Sequence, residues 1–177
     1  MNYKDMKIMR RELLEKFCED FHEAYIAAAV VEPESEDGLT TVRVLFDELG
    51  DGDDEPYAEF YFTPLTSEED TVQYFTGLIT LSEDLPVDNL SKLYEAMSYI
   101  NFYIPAGAFA IDAGHRVLTY RLCVPMSIEA AREEIFRQMQ VIGGNSAAIA
   151  DAYIGVFRDV ANDDMSIDEV RNLLGYE

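Results

Sequence analysis

The order of periodic segments in this chain predicts an α+β fold, an antiparallel sheet covered by helices. Three observations carry that prediction. A helical pattern opens the chain, several period-two segments follow it, and a tight strand pair lies between two further helical regions. The strand pair reads Gly107 to Gly114 and then Arg116 to Val124.

The opening segment, Asp5 to Tyr25, carries Ile8, Leu13, Leu14, Phe17, Cys18, Phe21 and Tyr25 in steps of three and four, the stripe of an amphipathic helix. Ile26 to Val31 reads two ways, since the alanines would extend the helix while Ile26, Val30 and Val31 suit a strand. Glu32 to Gly38 is a loop by its Pro, Ser and Gly content. Leu39 to Leu49 alternates Val42, Val44 and Phe46 against Thr41, Arg43 and Asp47, the period of a half-buried strand. The acidic Gly50 to Pro56 is a second loop. Tyr57 to Leu65 and Val72 to Leu81 are two more strands, with a turn over Pro64 to Asp70 between them. Asp88 caps a helix through Leu90, Leu93, Tyr94, Met97 and Ile100 that stops near Asn101, and Pro105 bars its resumption. Asp112 to His115 then turns the hairpin.

The last fifty residues read as helices. Ser127 caps the first, with face Ile128, Ala131, Ile135, Met139 and Ile142, broken at Gly143-Gly144. A second runs from Ser146 through Ile149, Tyr153, Phe157 and Val160. A third opens at Ser166 with the capping box Ser166–Glu169. No internal repeat or composition break divides the 177 residues, so the expectation is one domain over 1–177.

Charge is extreme and uneven: 35 acidic residues stand against 13 basic ones. Between Glu32 and Ser91 there are 17 carboxylates and a single base, Arg43. Such a field repels phosphate backbones and anionic headgroups, so nucleic acid and membrane are not expected partners; the excess reads either as solubility by self-repulsion or as a surface that attracts a basic protein partner. No apolar run approaches the ~20 residues of a membrane span, and the N-terminus lacks a signal-peptide pattern. Two cysteines are too few for a disulfide framework, and the expected location is cytoplasmic.

Chemistry is sparse. Cys18 and His22 share a helix face four residues apart, but no further ligands complete the zinc set. Nothing beyond His22 would activate the thiol, and Glu19 and Glu23 oppose it. An EF-hand starting at Asp51 needs Gly and Glu where Pro56 and Phe62 stand. That leaves Asp47, Asp51, Asp53, Asp54 and Glu55 as an acidic loop with weak divalent affinity at most. Asn162 to Asp164 reads as a turn, Gly143-Gly144 is no phosphate loop, and His115 is a turn residue beside Arg116. Arg121 alternates against the apolar face of its strand and is expected to balance acidic neighbours across the sheet. No catalytic residue, metal ligand or cofactor is assigned.

The helix ending Tyr99-Ile100-Asn101, then Gly107, Phe109, Asp112 and the pair Tyr120-Arg121 resemble the YbjN-like family, small bacterial proteins grouped loosely as sensory transduction regulators. The resemblance covers about a third of the chain, from Val72 to Met126. It implies the fold of the class I type III secretion chaperones, here with an extra C-terminal helical segment, and a small acidic dimer without catalytic residues. The expected function is a non-catalytic protein-binding module, a homodimeric chaperone-like or regulatory adaptor. The alternatives are a ligand-binding or enzymatic domain with scattered pocket residues, or an immunity-type inhibitor of a basic protein.

Overall fold

Helix α1 (Tyr3–Glu23) buries Met6, Met9, Leu13, Leu14, Phe17 and Cys18 along one stripe. Ile8 falls outside it, because the stripe runs through Met6 and Met9 and leaves Ile8 47 % exposed. The computed structural model describes residues 3–35, 38–47, 49–50, 56–63, 72–127 and 129–176. The turn expected over Pro64 to Asp70, most of the Gly50 to Pro56 loop, Glu36 and Asp37, and Ile128 lie outside the described residues.

The segment that reads two ways in sequence is a strand. Tyr25 takes φ 62° and the Ile26 N–H reaches the Phe21 carbonyl at 2.9 Å, the left-handed stop of a helix. The chain reverses there into β1 (Ala28–Val31). It continues through β2 (Thr41–Leu45), β3 (Tyr57–Thr63) and β4 (Val72–Ser82). Strand β2 is shorter than the Leu39 to Leu49 pattern, because Leu49 leaves the ladder to be buried and Gly50 N–H is held by Asp151 Oδ1 at 2.9 Å.

A 3₁₀ turn over Val87–Asn89 precedes α2 (Leu90–Tyr103), so Asp88 lies inside that turn and does not cap the helix. Asn89 stands at the helix start instead, and its side chain donates to the Ala161 carbonyl at 2.8 Å. The hairpin follows as β5 (Ala108–Asp112) and β6 (Val117–Ser127). Ser127 is the last residue of β6, where its Oγ accepts from Glu129 N–H; it caps no helix. Helix α3 starts at Arg132, after Ala131.

The two helices expected on either side of Gly143-Gly144 are one, α3 (Arg132–Ala161). Two glycines cost a helix about 1 kcal/mol each, and packing offsets that cost. A Cβ on Gly143 would sit 2.9 Å from the Phe17 ring, so the missing side chain is the notch that receives that ring. Gly144 faces solvent with nothing near it. The capping box forms as read: Ser166 and Glu169 exchange hydrogen bonds at the start of α4 (Ile167–Leu173).

The six strands pair antiparallel throughout in the order β1-β2-β3-β4-β6-β5. Helices α1, α2 and α3 lie against one face of this sheet, and α4 packs on α2. The core between sheet and helices holds Val42, Phe60, Phe75, Ile79, Leu118 and Tyr120 from the strands. Phe17 meets Phe60 and Phe75 edge-on, with ring centres 5.2 and 5.7 Å away.

The two glycines therefore respond in opposite senses. Gly143→Val overpacks the Phe17 notch and should cost roughly 2 kcal/mol. Gly144→Ala should add up to about 1 kcal/mol through helix propensity. Urea denaturation of the two variants beside the parent checks both; equal effects would remove the notch from this account.

Candidate docking face

Residues that alternate away from the core form the second face of the sheet, and among the described residues no helix packs on it. The registers place them in rows across the strands. One row reads Thr41, Tyr61, Thr76 and Cys123. The next reads Arg43, Glu59, Leu78, Arg121 and Ala108, and a third reads Leu45, Tyr57, Thr80, Thr119 and Ala110. Tyr74 sits between Thr63 and Pro125. Tyr57, Tyr61, Tyr74 and Leu78 are half-buried, and Leu45 is 49 % exposed. An uncovered sheet face with three tyrosines and two leucines is a surface suited to another protein.

Its polar groups are few and specific. Arg43 Nη2 meets Glu59 Oε1 at 2.7 Å and lies over the Tyr57 ring. The Tyr57 hydroxyl donates to Glu83 at 2.9 Å. Thr76 Oγ1 donates to Cys123 Sγ at 3.2 Å. Burial pushes the Tyr61 hydroxyl pKa up, and the nearby Arg121 charge opposes the rise. Arg121 does not sit opposite an acid as expected: its cross-strand partners are Leu78 and Ala108. The carboxylate in its row, Glu59, lies two strands away and is taken by Arg43. Among the described residues Arg121 makes no ion pair.

Helix side chains reach the backbone at both edges of the sheet. In β1 the outward backbone groups belong to Ala28 and Val30: His22 Nε2 bonds the Ala28 carbonyl at 2.8 Å, and Cys18 lies beside the Val30 backbone, which opposes the rise that burial gives its pKa. The i, i+4 pair that resembles a metal half-site thus seals an edge strand. Burial also raises the Cys18 pKa, the reverse of an activated thiol. At β5, Asn101 accepts from Phe109 N–H at 2.7 Å and donates to its carbonyl at 2.9 Å, as a neighbouring strand would. The Tyr94 hydroxyl donates to the Ile111 carbonyl at 3.3 Å. Sequence reading missed the edge role of Asn101, because its partner lies across a loop and no local pattern marks it.

The other residues singled out in sequence are structural. Gly107 has φ 69°, and a Cβ there would lie 2.3 Å from the Tyr120 hydroxyl, which donates to the Ala106 carbonyl at 3.0 Å. Burial pushes the Tyr120 pKa up to about 12. Phe109 packs on Tyr120 and Phe157. Asp163 takes φ 63° in the turn after α3 and pairs with Lys92. Asp51, Asp53, Asp54 and Glu55 lie outside the described residues. Among the described residues no group of three His, Cys, Asp or Glu side chains is placed to hold a metal ion. No described helix is long and apolar enough to cross a membrane. Clefts also lie among the described residues, the first reaching the margin of this face at Leu45. One of about 520 Å³ is bordered by Tyr25, Leu45, Phe46 and Ala147, and one of about 340 Å³ by Leu85, Phe157 and Arg158.

Two outcomes follow from this geometry. Asn101→Ala leaves the outward groups of Phe109 unpaired and should cost ~1–3 kcal/mol, with faster amide exchange at Phe109. In the hairpin turn, Asp112 Oδ2 lies 2.8 Å from His115 Nδ1, which raises the His115 pKa and lowers that of Asp112. The His115 contribution to stability is complete below its unfolded pKa and fades as pH rises through the raised folded value. The Asp112 contribution is present above its unfolded pKa and fades as pH falls through its lowered one. In an NMR titration the His115 midpoint should return to the ordinary histidine range in Asp112→Asn.

When the chain is compared with protein-family models and with curated proteins, no match is found.

Proposed function

We propose that this chain is a non-catalytic protein-binding module, a cytoplasmic and homodimeric adaptor of the chaperone-like or regulatory kind. The observation that carries this reading is the one-sided cover of the sheet. Helices cover one face, side chains take backbone groups at both edges, and a tyrosine-rich face is left for another polypeptide. Sealed edges argue against capture of a partner by strand addition and for contact through side chains on the open face.

The resemblance to the YbjN-like family supports the same reading. With β1 and α4 set aside, the elements run in the order that the resemblance implies: a helix, three strands, a helix, two strands and a helix. Two free cysteines, one buried and one exposed, accord with a reducing cytoplasm. The acidic excess would steer a basic partner toward the protein at low salt. The cleft beside Tyr25 and Phe46 favours a second reading, a small-ligand domain, since its size falls in the range of ligand sites.

Affinity capture at low and high salt, with the parent and Tyr61→Asp side by side, tests this. A partner retained at high salt and lost in Tyr61→Asp supports docking on the open face. A partner lost at high salt and indifferent to Tyr61→Asp moves the contact to the acidic surface. No partner in any arm sinks the binding reading, and a metabolite-dependent rise in Tm would then favour the ligand domain.

A further inference from the structure

We propose that the occupant of the open sheet face is a second copy of this chain, docked face to face about a two-fold axis that runs along β4. This deepens the binding reading above and rests on it: the polypeptide received by the open face is the other copy of the homodimer, and a further partner depends on that face through the dimer it forms. The first argument is charge. The chain carries a net −22, yet the outward strand residues of this face hold two arginines, Arg43 and Arg121, and two carboxylates, Glu59 and Asp112. With Glu83 held by Tyr57 the face carries a net charge of about −1, and a near-neutral patch on so acidic a molecule is where two copies can approach with least repulsion.

The second argument is register. Glu59, Leu78 and Arg121 lie side by side on β3, β4 and β6. Packed sheets keep their strands aligned to within about 30°, so two orientations of a face-to-face dimer are open. With the axis across the strands, Glu59 would face Glu59 and Arg121 would face Arg121, and both contacts repel. With the axis along β4, Leu78 faces Leu78 of the second copy, and each Glu59 faces Arg121 of the other. The carboxylate already held by Arg43 has lone pairs left for a second guanidinium. Each otherwise unpaired Arg121 thereby gains a partner, twice per dimer.

The third argument is shape. The same axis sets large residues of β2 and β3 against small ones of β5 and β6. Tyr61 falls opposite Cys123, Tyr57 opposite Thr119 and Leu45 opposite Ala110. Large against small is how two facing layers interdigitate at close packing.

The test uses sedimentation equilibrium on the full chain and two single reversals, Glu59→Arg and Arg121→Glu, each verified as folded by circular dichroism. The parent is expected to be a dimer. Each reversal alone places like charges together twice and should weaken the dimer by roughly 100-fold or more. An equimolar mixture of the two variants should dimerise again. In the mixed dimer the arginine introduced in one copy meets the glutamate introduced in the other, and the remaining Glu59 meets the remaining Arg121. A merely structural effect of either substitution would not be rescued by mixing. Leu78→Cys in a Cys123→Ser background should also give crosslinked dimers with a short bismaleimide. A monomeric parent, reversals without effect, or mixing without rescue would overturn the proposal. A dimer that ignores the reversals, with capture of another protein intact, would sink this interface and leave the binding reading standing.

Discussion

Everything in this molecule depends on how closely α1 and α3 approach each other over the sheet, and the Phe17 ring sets that distance. It lies in the notch at Gly143 on one side and against Phe60 and Phe75 on the other. Gly77 on β4 makes the same concession from below, since a Cβ there would touch the Phe60 ring at 2.8 Å. Two missing side chains thus bring two helices and the central strands within reach of one aromatic cluster. Dispersion between rings at these separations is small per contact and large in sum, which is why a thirty-residue helix can carry two adjacent glycines.

With the helices committed to one face, the sheet meets the usual problem of its remaining surfaces. The edges are resolved by side chains that imitate a further strand. Cys18 and His22 reach β1 from α1, and Tyr94 and Asn101 reach β5 from α2. Cys18 and His22 lie one helical turn apart and face alternate residues of β1, since a turn and two strand residues span similar distances; Tyr94 and Asn101, two turns apart, also meet alternate residues of β5. Edge-to-edge association is thereby hindered where these groups are taken. Among the described residues the open face has no such closure, and its aromatic rows remain half in water.

Electrostatics separate that face from the rest of the surface. The arginine–glutamate pair on β2 and β3 is partly exposed, so it contributes little to stability by itself. Its worth lies in position: it keeps Arg43 and Glu59 balanced beside Tyr57, in a region of sequence otherwise crowded with carboxylates. Charge on this protein is therefore sorted, with acids concentrated in loops and the strand face left near neutral.

Local periodicity was enough to read the α+β class, the amphipathic opening helix, the alternation of β2 and β3, the hairpin and the capping box at Ser166. Each of these is a short-range pattern of polarity or a cap within a few residues. It was not enough to read Gly143-Gly144, because a helix break and a helix notch look alike until Phe17 arrives from far away in the chain. Nor could it separate strand from helix at Ile26 to Val31, where a left-handed Tyr25 and pairing with β2 decide the matter. Of the candidate site, alternation showed which strand residues share a face, and the paired Cys18 and His22 were visible but assigned no partner. By itself, then, the sequence determined the elements and their polarity. The tertiary structure alone decided which face stayed open, which edges were sealed and what faced Arg121, because those are properties of strands that meet only after folding.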